Sequence, residues 1–110
     1  MNLSVAVALQ GQEVVLRFRG ALDVVTSGCL RTALEGVVES RPKRLVLDLA
    51  EVTFLDSSAI GVIVGCCKAV RRSGGDLVLR DPAGPVALVL HTVGLDRAIE
   101  IEHARATAAA

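Results

Sequence analysis

The chain opens with large apolar residues at every second position: Leu3, Val5, Val7 and Leu9, separated by Ser4, Ala6 and Ala8. After Gln10-Gly11-Gln12 comes a second short β-patterned run, Val14 to Arg19, which Gly20 closes. Two such runs around a glycine-containing turn predict a hairpin. The period then lengthens. Leu30, Ala33, Leu34, Val37 and Val38 follow the i, i+3, i+4, i+7, i+8 series of a helix with one buried stripe. Asp23 or Thr26 is placed to cap its start, and Pro42 ends it. Gly28 and Gly36 each weaken that helix by about 1 kcal/mol relative to alanine.

Arg44-Leu45-Val46-Leu47-Asp48-Leu49 is nearly continuous in its apolar character, the pattern of a central strand buried on both faces. Val52 to Leu55 leads into Asp56-Ser57-Ser58, and a helix is predicted from about Ser58 to Arg72, stopped by Ser73-Gly74-Gly75. Asp76 to Arg80 reads as another strand. Pro85 stands at a favoured first helical position, with Val86, Val89, Leu90 and Val93 on one face. Gly94 suits the left-handed residue after a helix, and Leu95 the apolar contact that accompanies it. Ala98 to Ile101 fits either a last strand or a helical turn. The Ala-rich tail from Ala104 is expected to fray.

The predicted order is β-β-α-β-α-β-α and a terminal element. Helices alternating with strands imply parallel crossovers, and the first hairpin adds an antiparallel pair. The fold class is therefore α/β: one small domain with a mixed β-sheet, an N-terminal hairpin and helices packed on the sheet. A chain of 110 residues fits a single domain, with its core in about residues 3–102.

Composition narrows the function. Twelve basic residues balance twelve acidic ones, so nothing points to a nucleic-acid or membrane-surface binder. The longest apolar run, Ala59 to Cys67, has about nine residues against about 20 for a membrane span. No basic region followed by an apolar stretch marks a signal peptide. Cys29, Cys66 and Cys67 lack disulfide-framework spacing, and no CxxC or Cys–His cluster offers a metal site. A reducing, cytoplasmic setting without a cofactor is expected.

Chemistry concentrates where the central strand hands over to the second helix. Asp and Ser are strong helix caps, and a helix N-terminus presents unpaired N–H groups that hold a phosphate well. Nucleophilic catalysis is disfavoured: Gly-x-Ser-x-Gly is absent, and the only histidines, His91 and His103, read as surface residues. On an ideal helical wheel Ile60, Ile63, Val64, Cys67 and Val70 form the core stripe. Ser58, Gly61, Gly65, Lys68 and Arg72 lie opposite, with Val62, Cys66 and Ala69 on the shoulder. The two glycines cost about 2 kcal/mol together, which close approach of another backbone can offset. That backbone belongs either to this domain or to a partner. In the second case Gly61, Val62, Gly65 and Cys66 form part of an exposed docking face.

At this point the sequence resembles a family. Gly20-Ala21-Leu22-Asp23, the apolar run Leu45 to Leu49, and Phe54-Leu55-Asp56-Ser57-Ser58-Ala59-Ile60-Gly61-Val62 are similar to bacterial anti-sigma factor antagonists. Gly74 to Leu79 and Val93-Gly94-Leu95 continue the likeness in order and spacing, over about residues 3–102. The resemblance implies a STAS domain, in agreement with the order of elements. It also implies partner switching. The unphosphorylated antagonist binds an anti-sigma factor, commonly also a serine kinase; phosphorylation releases it, and a serine phosphatase resets it. Carried over, Ser57 is the phosphoacceptor, Asp56 and Ser58 are its recognition surroundings, and Asp23 is a neighbour on the docking face. No residue is implied to be catalytic. The sequence departs from the pattern in three places. Ala21 replaces a usual acid and Ala59 a usual glycine, both at positions expected to touch the docking surface, and Cys66-Cys67 replaces more polar residues. The alternative employment is a STAS module of a lipid-transport system or a larger sensory assembly.

Overall fold

The computed structural model describes residues 3–104. The hairpin comes first: β1 (Ser4–Gln10) and β2 (Glu13–Leu22) pair antiparallel, with Gln10 opposite Glu13 across a two-residue loop. Gly11 there has φ 64°, a left-handed conformation that tight hairpin loops require and side chains resist. Next come α1 (Ser27–Val38), β3 (Arg44–Leu55), α2 (Ser57–Arg72), β4 (Asp76–Arg80) and α3 (Gly84–Thr92). The undecided segment after Gly94 is both things in succession, a helical turn α4 (Leu95–Ala98) and a short strand β5 (Glu100–Glu102). Gly94 takes φ 77°, and Leu95 is buried beside it. All but the first residue of the Ala-rich tail lies outside the described residues.

The strands form one sheet in the order β1-β2-β3-β4-β5, parallel from β2 to β5. Strand order equals chain order, so right-handed crossovers place the helices between the parallel strands on one face. The main core lies there. Leu16, Leu45, Leu47, Leu77 and Leu79 of the sheet meet Leu34, Ile63, Val70, Val86 and Leu90 of the helices.

Among the described residues no helix of α1–α4 covers the opposite face, yet Val15, Val46 and Val78 are buried in a row across three strands. Four charged side chains close over them. Arg44 bonds Glu13 at 2.8 Å and Glu102 at 2.5 Å, and Arg80 bonds the same two carboxylates at 3.3 and 3.2 Å. The ring has alternating sign, and the arginine stems supply apolar cover while their heads stay partly in water. Asp48, also on this face, is buried and accepts from Arg17 Nε and the Ala50 N–H.

Two irregularities aim the functional end of β3. Its pairing with β2 slips by one residue between Arg17 and Arg19, and again between Gly20 and Ala21. Each slip inserts one extra residue into β3 and reverses which parity faces the helices. Leu45, Leu47 and Leu49 point into the core, then Val52, then Leu55. The strand thus ends on a buried residue, with Asp56 at the sheet's rim.

The glycines separate into opposite kinds. A Cβ on Gly75 would lie 2.2 Å from the Pro42 carbonyl oxygen, whereas one on Gly61 or Gly65 would meet nothing within 4 Å. Gly75→Ala is therefore expected to destabilise by about 1–3 kcal/mol or more, because backbone must move. Gly65→Ala is expected to stabilise by about 1 kcal/mol through helix propensity. Urea unfolding of the two variants checks both signs.

Candidate functional site

Asp56 leaves the strand in an extended conformation (φ −121°, ψ −176°) and caps α2. Its Oδ1 accepts from the N–H groups of Ser58 at 2.9 Å and Ala59 at 3.3 Å, and its Oδ2 accepts from the Val24 N–H at 3.2 Å. Its own N–H donates to the Leu22 carbonyl at 3.1 Å. One residue thus binds the start of α2 to the loop between β2 and α1. Asp56 was expected to help recognise a partner; the structure gives its carboxylate an internal task.

The loop has its own clasp. Asp23 Oδ1 accepts from the Val25 and Thr26 N–H groups, both at 3.0 Å. The Thr26 hydroxyl accepts from the Asp23 N–H at 3.0 Å and donates to the Ala21 carbonyl at 2.8 Å. Asp23 and Thr26 are both buried. Asp23 was expected on the docking face, but its side chain turns inward because the loop's N–H groups need an acceptor. It holds the loop's conformation from within.

Ser57 is the first residue of α2 and is exposed. Among the described residues its hydroxyl has no hydrogen-bond partner. No acidic residue lies in the first turn of the helix, so the partial positive charge of its N-terminus is offset there only by Asp56. Ser58 is half-buried and Ala59 fully buried. The expectation that Ala59 touches the docking surface therefore fails: it packs into the core beneath the junction.

Three exposed apolar side chains belong to the segments that meet at this junction, and none was named as a site residue from the sequence. Val24 and Val25 at the loop tip are 70 % and 73 % exposed, and Phe54 near the end of β3 is 53 % exposed. The signal available was weak but present: Val24-Val25 belongs to no helical or strand period, and Phe54 is one of two aromatic residues in the chain. The second bulge turns Phe54 outward, which periodicity does not reveal.

Along α2, Gly61 and Gly65 are exposed as expected. Among the described residues nothing lies within 4 Å of a Cβ built on either, so no close backbone approach within them accounts for the glycines. Val62 and Cys66, expected on the exposed shoulder, are 8 % and 7 % exposed. The reason is α1, which packs along that flank and rotates the buried stripe toward it. Ala59, Val62 and Cys66 join Ile63, Cys67 and Val70 in the core, while Ile60 and Val64 are only half-buried. Between the two helices lies an open groove of about 590 Å³, with Gly61, Gly65 and Cys66 on one wall and Leu34, Glu35 and Val38 on the other.

His91 is exposed on α3 and its Nδ1 lies 2.8 Å from Asp96 Oδ2. Among the described residues no group of three His, Cys, Asp or Glu side chains is arranged to hold a metal ion, and no helix is long and apolar enough to cross a membrane.

Sheet topology defines a small α/β module with a mixed five-stranded sheet, and comparison with known proteins agrees. The STAS domain family model matches residues 4–108, and the chain belongs to that family. An anti-sigma F factor antagonist of Paenibacillus polymyxa is 31 % identical over 102 residues, covering 92 % of this chain and 87 % of that protein. The crystal structure of an anti-sigma factor antagonist from Mycobacterium paratuberculosis superposes with a TM-score of 0.85 at 24 % identity, over 92 % of this chain and 86 % of the other. The Bacillus cell fate determinant SpoIIAA in its phosphorylated form superposes with a TM-score of 0.70 at 18 % identity, over 94 % and 96 % of the two chains.

The thiols report on this packing. Burial pushes the Cys66 thiol up to about 11, and burial also raises that of Cys67, while Cys29 is exposed on α1. Native protein at neutral pH is expected to be alkylated at Cys29 alone, because the reactive species is the thiolate. Unfolded protein should label at all three cysteines, and peptide mapping distinguishes the outcomes.

Proposed function

We propose that this protein is a cytoplasmic anti-sigma factor antagonist. It binds an anti-sigma factor through the surface around Ser57, and phosphorylation of Ser57 by a serine kinase, often the anti-sigma factor itself, breaks the complex. A serine phosphatase restores it. The observation that carries this reading is the exposed Ser57 hydroxyl, free of internal partners at the first position of a capped helix. The relatives' names and the existence of a neighbour in phosphorylated form support it.

The physics separates affinity from switching. Val24, Val25 and Phe54 offer apolar surface that a partner can bury, the kind of central anchor on which binding energy concentrates. Ser57, in their midst, contributes little when neutral. Phosphorylated, it carries about −1.5 to −2 charges at neutral pH. The helix N-terminus accommodates that charge, so the domain stays folded. A docked partner, however, must desolvate or oppose a dianion beside Asp56, and about 1.4 kcal/mol of such penalty weakens binding tenfold. Ser57 is acted upon in this scheme and turns over no substrate.

Incubation with the cognate kinase followed by peptide mass spectrometry tests the assignment. Phosphate is expected on Ser57 in the native sequence and in Ser58→Ala, and none in Ser57→Ala, which should still bind the anti-sigma factor. Phosphate on Ser58, or incorporation into Ser57→Ala, overturns it.

The anchor has a separate signature. Val25→Asp should lower affinity for the unphosphorylated form at least about tenfold while leaving the far-ultraviolet circular dichroism unchanged, since the side chain is already in water. Unaltered affinity removes the loop tip from the interface.

A further inference from the structure

β1 is the edge of the sheet, and β2 is its one strand neighbour among the described residues. Natural edge strands usually carry a lysine, a proline, a bulge or an inward charge that blocks further pairing. β1 has none of these. Ser4 to Gln10 contains no charged residue and no proline, and its register with β2 is unbroken over all seven residues.

The hairpin determines which backbone groups are spare. A two-residue loop makes Gln10 and Glu13 a hydrogen-bonded pair, and such pairs alternate along an antiparallel ladder. Ser4, Ala6, Ala8 and Gln10 therefore direct their N–H and C=O groups toward β2. Val5, Val7 and Leu9 direct theirs outward. The outward set is also the apolar one: Val7 is 59 % exposed and Leu9 76 %. Their side chains share the helix-bearing face, since Val7 lies opposite core residue Leu16. Val5 is half-buried against the core, so unused backbone groups and uncovered apolar side chains coincide at Val7 and Leu9.

We propose that β1 pairs antiparallel with β1 of a second copy of this chain, about a two-fold axis through Val7, forming a weak dimer. In this register Val7 faces Val7 of the second copy, Val5 faces Leu9, Ala6 faces Ala8, and Ser4 faces Gln10. Large apolar side chains meet on one face and small or polar ones on the other, with about six new backbone hydrogen bonds. No charge is desolvated, and no like charges are opposed. A second copy fits because the strand is its own complement in both alternation and charge. Two five-stranded sheets become one continuous sheet with all helices on the same side. The two Ser57 junctions then lie toward opposite ends and remain open, so the proposal stands independently of the reading of Ser57. A single strand pair is a small contact beside the roughly 1,000 Å² that stable interfaces bury, hence the weakness.

Sedimentation velocity over a concentration series, from low micromolar to near millimolar, tests this. The mass should rise from one chain toward two. Val7→Lys, which brings two cations together on the axis, should hold the protein at one chain throughout. Leu88→Lys, an equal charge on an exposed residue of α3, should leave the dimer intact. Val7→Cys in a Cys29→Ser background gives an independent check: a short thiol-reactive bifunctional cross-linker should yield a covalent dimer, because the two opposed residues on the axis lie about 5.5 Å apart. A single chain at every concentration, a dimer indifferent to Val7→Lys, or loss of the dimer in Leu88→Lys would each overturn the proposal.

Discussion

Asp56 places one carboxylate against three backbone N–H groups, two on α2 and one on the loop before α1. Those groups belong to segments more than thirty residues apart in sequence, and nothing else on that rim joins them so directly. The first turn of a helix always presents N–H groups without internal partners. Here two are satisfied by the residue that also fixes the neighbouring loop. The consequence is a rigid frame in which Ser57 projects from the first helical position while Val24 and Val25 stand beside it. Losing the cap would cost about 0.5–2 kcal/mol of stability, and it would also free the loop that frames the serine.

What delivers Asp56 to this position is the pair of bulges in β3. A regular strand of that length would have kept one parity facing the helices. The two slips change it twice and let Leu55 end in the core with Asp56 on the rim. The rest of the sheet provides a stiff base. Its helix-bearing face is packed with leucine, isoleucine and valine, and its other face is closed by the ring of Arg44, Glu13, Arg80 and Glu102 over three valines. The ring also joins β2, β3, β4 and β5 laterally, which matters for a terminal strand of three residues.

Much of this was legible in the sequence because local periodicity and turn chemistry report on backbone directly. The hairpin around Gly11, the apolar central strand, the helix beginning at the Asp-Ser-Ser junction and the Gly94-Leu95 stop are local signals, and each appears in the fold, with β2 and β3 running on past the expected ends to Leu22 and Leu55. What a helical wheel lacks is knowledge of the neighbour. It assigned Val62 and Cys66 to the exposed shoulder of α2 because it does not contain α1, whose packing buries them. The family resemblance placed Asp23 on the docking face, and it does not show which loop N–H groups need an acceptor. The bulges escaped because each depends on the register between two strands, and with them escaped the outward turn of Phe54. The ion-pair ring joins residues up to 67 positions apart, which no local pattern encodes.

In the proposed switch, the phosphate on Ser57, with about −1.5 to −2 charges at neutral pH, controls docking without unfolding the domain. Calorimetric titration of one anti-sigma factor with this protein before and after stoichiometric phosphorylation tests it most directly, with circular dichroism recorded on both forms. The expected result is an identical fold and an affinity lower by more than about tenfold for the phosphorylated form, a penalty above about 1.4 kcal/mol. Equal affinity of the two forms, or loss of binding accompanied by loss of secondary structure, would contradict it.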